Sequence, residues 1–95
     1  METTFKESYY ANGKLWDKLQ FLNGKQHGEQ LYYHSNGKLN YKHQLLNGKN
    51  HGEQIGYYDN GELYYKNYYI NDKYVSEKEW LEHKHKTKSL TDMYV

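Results

Sequence analysis

Polar turn residues and apolar runs alternate along this chain at a fixed spacing. Asn12-Gly13-Lys14-Leu15 returns as Asn36-Gly37-Lys38-Leu39 and as Asn60-Gly61-Glu62-Leu63, each 24 residues on. A second series runs between them: Asn23-Gly24-Lys25, Asn47-Gly48-Lys49 and Asn71-Asp72-Lys73. Asn-Gly between apolar runs marks a β-hairpin, because both residues tolerate the positive φ of a type I′ turn. Self-similarity at a fixed period of this length marks a repeat architecture. The repeats run over residues 4–27, 28–51 and 52–75, and Gly28-Glu29-Gln30 recurs as Gly52-Glu53-Gln54.

Each repeat holds two strands. The first covers about residues 29–34, with equivalents at 5–10 and 53–58; the second covers 38–46, with equivalents at 14–22 and 62–70. A two-residue first turn would set Tyr33 opposite Asn40, His34 opposite Leu39, Tyr57 opposite Tyr64, Tyr58 opposite Leu63 and Glu7 opposite Lys18. Apolar residues at both parities, as in Phe21-Leu22 and Leu45-Leu46, point to a bulge, a strand end or burial on both sides.

The periodicity stops after Val75, and a different element follows in residues 76–95. Ser76-Glu77-Lys78-Glu79 is a capping box, which predicts a helix over about 77–86 with Trp80 and Leu81 folded onto the last hairpin. Leu90, Met93 and Tyr94 form either a second amphipathic turn or a tail.

Composition narrows the architecture. With 95 residues the core is thin. Tyr occurs 13 times, and its apolar ring with a polar tip suits a half-wet surface. The fold class expected is mainly β: three hairpin repeats in an elongated, single-layer antiparallel sheet, with a short C-terminal capping helix.

Charge and residue usage then exclude functions. The net charge is +1 and every basic residue is Lys, without the basic excess and Arg forks of a nucleic-acid binder. There is no Cys, hence no disulfide framework. The start, Met1-Glu2-Thr3-Thr4, lacks the features of a signal peptide, and no apolar run reaches a membrane span. An intracellular, cytoplasmic protein is expected.

Taken together, the string Gly28-Glu29-Gln30-Leu31-Tyr32-Tyr33, the turn Asn36-Gly37-Lys38-Leu39 and the run Leu46-Asn47-Gly48-Lys49-Asn50-His51-Gly52 resemble the MORN repeat. They look most like the variant MORN repeat of a bacterial group described as antitoxins; similar arrays occur in proteins of large DNA viruses. The resemblance implies a twisted single-layer sheet of successive hairpins with a non-catalytic interaction or scaffold role. In the wider group lipid binding has been proposed and self-association is common.

The residues themselves offer little chemistry. His27 and His51 share a repeat position and would stand about 9.5 Å apart, too far to share one zinc ion. A turn His bonded to loop backbone is the better reading. His83 and His85 fall on different sides of the expected helix. Ser8, Ser35, Ser76 and Ser89 lack a nucleophile–base partner, and no Gly opens a helix as a phosphate loop does. No enzyme, cofactor or metal is expected.

The candidate binding surface is therefore the set of rows that the repeats align. Tyr9, Tyr33 and Tyr57 form one, and Tyr10 and Tyr58, with His34 between them, form a second. Tyr41 and Tyr65 form a third, and Lys18, Lys42 and Lys66 a fourth. Tyr is enriched in interface hot spots. The expected function is protein–protein interaction or scaffolding, with a protein partner or a homodimer and toxin neutralisation as its specific form. The alternative is binding of anionic lipid or glycan through the Lys and Tyr rows.

Overall fold

The computed structural model describes the backbone of residues 2–93 and the side chains of residues 2–86. Eight strands form one open antiparallel sheet: β1 (Thr3–Tyr9), β2 (Leu15–Leu22), β3 (Lys25–Gln26), β4 (Gly28–Tyr33), β5 (Leu39–Leu46), β6 (Lys49–Tyr57), β7 (Leu63–Ile70) and β8 (Lys73–Val75). A single helix, α1 (Glu77–Met93), follows. The strands pair in chain order, β1-β2-β4-β5-β6-β7-β8, with β3 on β2. The sheet is a single layer, and the chain as a whole has extents of 48 × 33 × 23 Å. Its buried apolar side chains are few among the described residues: Ile55, Tyr68 and Val75.

The two turn series differ. In the second series Asn and its successor both have positive φ, as at Asn23 (51°) and Gly24 (83°), so these are the expected type I′ turns. Asn71 and Asp72 keep the same shape without Gly, at 48° and 68°. In the first series only the Gly is positive. The Tyr10 N–H donates to the Lys14 carbonyl and the Gly13 N–H to the Tyr10 carbonyl, at 2.8 and 2.9 Å, and the same pair of bonds closes the other two loops. These are type I turns closed by a Gly bulge, a three-residue loop. Within each loop the Asn side chain accepts from the N–H two residues on: Lys14, Lys38 and Glu62, each at 2.9 Å.

This corrects the pairing near the loops. Tyr33 faces Leu39 rather than Asn40, and Tyr57 faces Leu63 rather than Tyr64. Behind the loop a bulge restores the register, so Glu7 does face Lys18. The residue left without a partner in each bulge is Trp16, Asn40 and Tyr64.

A wider irregularity sits at the other ends of the strands. Between the pairs His43–Gln54 and Leu45–Asn50, one residue of β5 meets three of β6, His51-Gly52-Glu53. The same interruption falls around His27-Gly28-Glu29. A side chain closes the gap. Gln30, 1% exposed, accepts from the Gln20 N–H at 3.1 Å and donates to the Gln20 carbonyl at 2.9 Å. It also reaches the His27 and Gly28 carbonyls at 3.3 Å. Gln54, 4% exposed, donates to the Gln44 carbonyl at 3.2 Å. An amide carries the same donor and acceptor as a peptide group, so Gln completes a ladder that the backbone cannot reach. Gly52 is required here: its φ is +113° and a Cβ would strike the Gln44 side chain.

Successive repeats are tied at both rims. The Asn12 and Asn36 amides donate to the Ser35 and Asp59 carbonyls at 2.9 and 2.8 Å. At the opposite rim the His27 and His51 Nδ1 atoms accept from the Asn47 and Asn71 N–H groups, at 3.1 and 3.2 Å. Helix α1 starts where the capping box places it: Ser76 Oγ accepts from the Glu79 N–H at 3.1 Å. It runs on to Met93, beyond the expected end near residue 86. Trp80 meets the His51 ring at 5.4 Å, whereas Leu81, 52% exposed, lines an open cleft with Ile70 of β7. Leu90 and Met93 lie on this one continuous helix; Tyr94 lies outside the described residues.

Candidate functional site

Aromatic rings are in contact across strands rather than along the repeat rows. Tyr32 on β4 faces Tyr41 on β5, and their rings stack at 4.3 Å. Tyr41 lies 4.8 Å from His43, whose Nε2 is 3.4 Å from the Tyr65 hydroxyl. Tyr65 meets Tyr64 at 5.6 Å, and Tyr64 meets Tyr58 at 4.8 Å. One strip of rings therefore runs Tyr32–Tyr41–His43–Tyr65–Tyr64–Tyr58.

The backbone explains how the strip is continuous. Tyr65 pairs with Gly56, and its ring lies on the bare Gly56 backbone where a Cβ would collide with it. A missing side chain on β6 thus lets an aromatic on β7 reach towards β5. The bulge frees Tyr64, 64% exposed, to bridge Tyr65 and Tyr58. The equivalent bulge residue Trp16, 51% exposed, meets Tyr10 at 6.0 Å, which makes a second, smaller aromatic corner at the same rim.

Burial tunes the strip. It holds the Tyr32 and Tyr65 hydroxyls above their ordinary pKa; Tyr41 adds to both, and Asp17 adds to Tyr32. Burial also lowers the His43 pKa, favouring the neutral ring. Asp17 faces Tyr32 across β2 and β4, and its buried Oδ1 has no hydrogen-bond partner among the described residues.

The sequence-picked residues divide accordingly. Tyr41, Tyr65 and Tyr58 lie in the strip. Tyr9 stands at the opposite end of the sheet, its hydroxyl 3.3 Å from Glu7. Tyr33 and Tyr57 act through their carbonyls, which accept from the Tyr10 hydroxyl at 2.6 Å and the His34 Nε2–H at 2.9 Å. Tyr32, His43 and Tyr64 complete the strip and belong to none of the expected rows. At the Tyr32 position the other repeats carry Ser8 and Gly56, so no repeat row marks it. Its signal is the cross-strand pairing with Tyr41.

Lys18, Lys42 and Lys66 align as expected, alternating with Leu31 and Ile55 across the sheet. They are engaged locally. Lys42 Nζ lies 3.5 Å from Glu29, Lys18 Nζ sits 5.4 Å over the Phe5 ring, and Lys66 Nζ sits 5.8 Å over Tyr68. Tyr68 first, and Glu53 next, hold Lys66 above its ordinary pKa. No group of three or more His, Asp or Glu placed to hold a metal occurs among the described residues.

These repeats define a class of protein, the β-hairpin repeat array. The family model described as the MORN repeat variant matches residues 6–23, 26–47 and 50–71, most of the chain, and the chain belongs to that family. Its repeats are in general non-catalytic modules for protein or membrane interaction. Neither the curated proteins nor the solved structures contain a match. No described helix is long and apolar enough to cross a membrane.

Proposed function

We propose that this chain is a protein-interaction module whose contact surface is the strip Tyr32–Tyr41–His43–Tyr65–Tyr64–Tyr58. The observation that carries the reading is the continuity of that strip across four strands and a turn, ending on exposed Tyr64 and Tyr58. Tyr rings offer large contact area at low entropic cost, with hydroxyls to set orientation. The Lys row supports lipid binding less well: Glu29 and Glu53 lie across the same sheet from Lys42 and Lys66, and net charge is only +1. Toxin neutralisation is the specific form of the proposal, and scaffolding the general one.

Affinity capture from native cells tests it. Wild-type protein should retain a protein partner that Tyr64→Ser with Tyr58→Ser loses, while both proteins melt alike by circular dichroism. A partner retained equally by the double variant contradicts the assignment of the strip. Growth rescue on co-expression with a toxin encoded alongside tests the specific form. Flotation with acidic vesicles at low salt tests the lipid alternative.

A further inference from the structure

Five Asn-Gly steps close turns in this chain, at Asn12, Asn23, Asn36, Asn47 and Asn60, and all five are exposed. Asn-Gly is also the dipeptide in which a backbone nitrogen most readily attacks a side-chain amide, because Gly puts no side chain in the way. A hydrogen bond on that nitrogen separates one step from another. The Gly13, Gly37 and Gly61 N–H groups donate to the Tyr10, His34 and Tyr58 carbonyls, each at 2.9 Å. The Gly48 N–H donates to the Gln26 carbonyl at 2.8 Å. The Gly24 N–H has no acceptor among the described residues. One repeat position explains the exception. Thr4 faces Phe21, Gly28 faces Leu45 and Gly52 faces Tyr69, so Thr3, His27 and His51 hold equivalent places beside the turns at Asn23, Asn47 and Asn71. At the two later turns the His Nδ1 accepts from the Asn N–H, which leaves the Gln26 and Asn50 carbonyls to accept from Gly48 and Asp72. Thr3 offers no ring nitrogen. The Asn23 N–H therefore takes the Glu2 carbonyl, at 3.0 Å, and Gly24 is left without an acceptor.

We propose that Asn23 is the site at which this protein first modifies itself, by deamidation through a cyclic imide. The Gly24 nitrogen, having given its proton to solvent, bonds to Asn23 Cγ. The Cγ–Nδ2 bond breaks, and Nδ2 leaves as ammonia with a proton from water. Water then opens the ring at one carbonyl or the other, giving aspartate or isoaspartate at position 23. The Glu2 N–H, which donates to Asn23 Oδ1 at 3.1 Å, draws electrons from Cγ and favours the attack. A local opening of the turn brings nitrogen and Cγ together. At Asn23 that opening breaks no bond of Gly24, whereas at the other four steps it must also break the glycine N–H bond. The reaction exchanges an amide for a carboxylate and takes the net charge from +1 to zero. Isoaspartate routes the main chain through Cβ, so the two-residue turn and its two bonds to Glu2 are lost together. The site is separate from the aromatic strip, and each can fail alone.

Folded protein held at mildly alkaline pH, then cleaved after lysine and read by mass spectrometry, tests the proposal. Each Asn-Gly step falls on its own peptide. Residues 22–25 and 46–49 are the same tetrapeptide, Leu-Asn-Gly-Lys, so local sequence gives Asn23 and Asn47 equal rates. In the folded protein Asn23 should convert about three- to tenfold faster than Asn47, the worth of one backbone hydrogen bond, and in urea the two should match. Thr3→His supplies the missing acceptor and should slow Asn23 towards the rate of Asn47. His27→Thr removes the acceptor from the next turn and should quicken Asn47 alone, whereas an unfolded variant would quicken all five sites. Asn23→Gly keeps a type I′ turn and should abolish the early loss of positive charge on ion exchange. Equal rates at Asn23 and Asn47 in folded protein overturn the proposal. So does another Asn that converts first, or an Asn23 rate indifferent to Thr3→His.

Discussion

The two rims of this sheet carry different kinds of sequence. At the rim of the type I′ turns, the run His-Gly-Glu-Gln is repeated, its Gln is buried, and its His and Gln side chains bond backbone. At the rim of the three-residue loops the side chains change from repeat to repeat: Trp16, Asn40 and Tyr64 in the bulges, Ser8, Tyr32 and Gly56 before them. The aromatic strip ends at this second rim. At the first rim repetition marks what the backbone needs; at the second, the unrepeated Tyr32 and Tyr64 join the repeated Tyr41, Tyr65 and Tyr58 into one surface. Removing Gln30 leaves the part-buried Gln20 N–H without its partner, whereas removing Tyr64 exposes little that was not already wet.

The largest effect that would sharpen this contrast is at Gln30. Gln30→Ala strands the Gln20 N–H and removes the amide's bonds to the Gln20, His27 and Gly28 carbonyls, and should cost about 2–4 kcal/mol in urea unfolding. Gly52→Ala comes next, at about 1–3 kcal/mol, because an L-residue is strained at this φ and its Cβ meets Gln44. A third, smaller effect is pH-dependent. Burial first, and His83 next, lower the His51 pKa, and its Nδ1 must stay unprotonated to accept from Asn71. A folded-state pKa below the unfolded value means that the unfolded chain binds the proton more readily. Stability should hold above the ordinary His value of 6.5 and fall as pH drops through it, with a shallower fall in His51→Asn. Thermal melts between pH 8 and pH 5 check this, and a flat profile breaks the link between the His and the turn.

Much of the fold is legible in the sequence because Asn and Gly mark turns by a local backbone preference. The Ser76 cap is legible for the same reason, since an N-cap is a local hydrogen bond. Other features depend on what the chain meets in space. Asn-Gly serves both a type I′ turn and a type I turn with a bulge, so the dipeptide alone does not reveal that Asn12, Asn36 and Asn60 keep negative φ. Gln30 is polar and reads as surface, although it is buried and acts as a substitute peptide bond within the sheet. The strip was partly hidden because equivalent repeat positions are not neighbours in the sheet. Tyr32 touches Tyr41, from a different position of the same repeat, rather than Ser8 or Gly56.

Equilibrium urea unfolding of Gln54→Ala beside Tyr64→Ser tests most directly whether the repeated His-Gly-Glu-Gln run builds the fold and the unrepeated bulge residues make surface. Gln54→Ala should lose about 2 kcal/mol or more, and Tyr64→Ser should stay within about 0.5 kcal/mol of wild type. Equal losses, or a larger loss for Tyr64→Ser, would contradict that division.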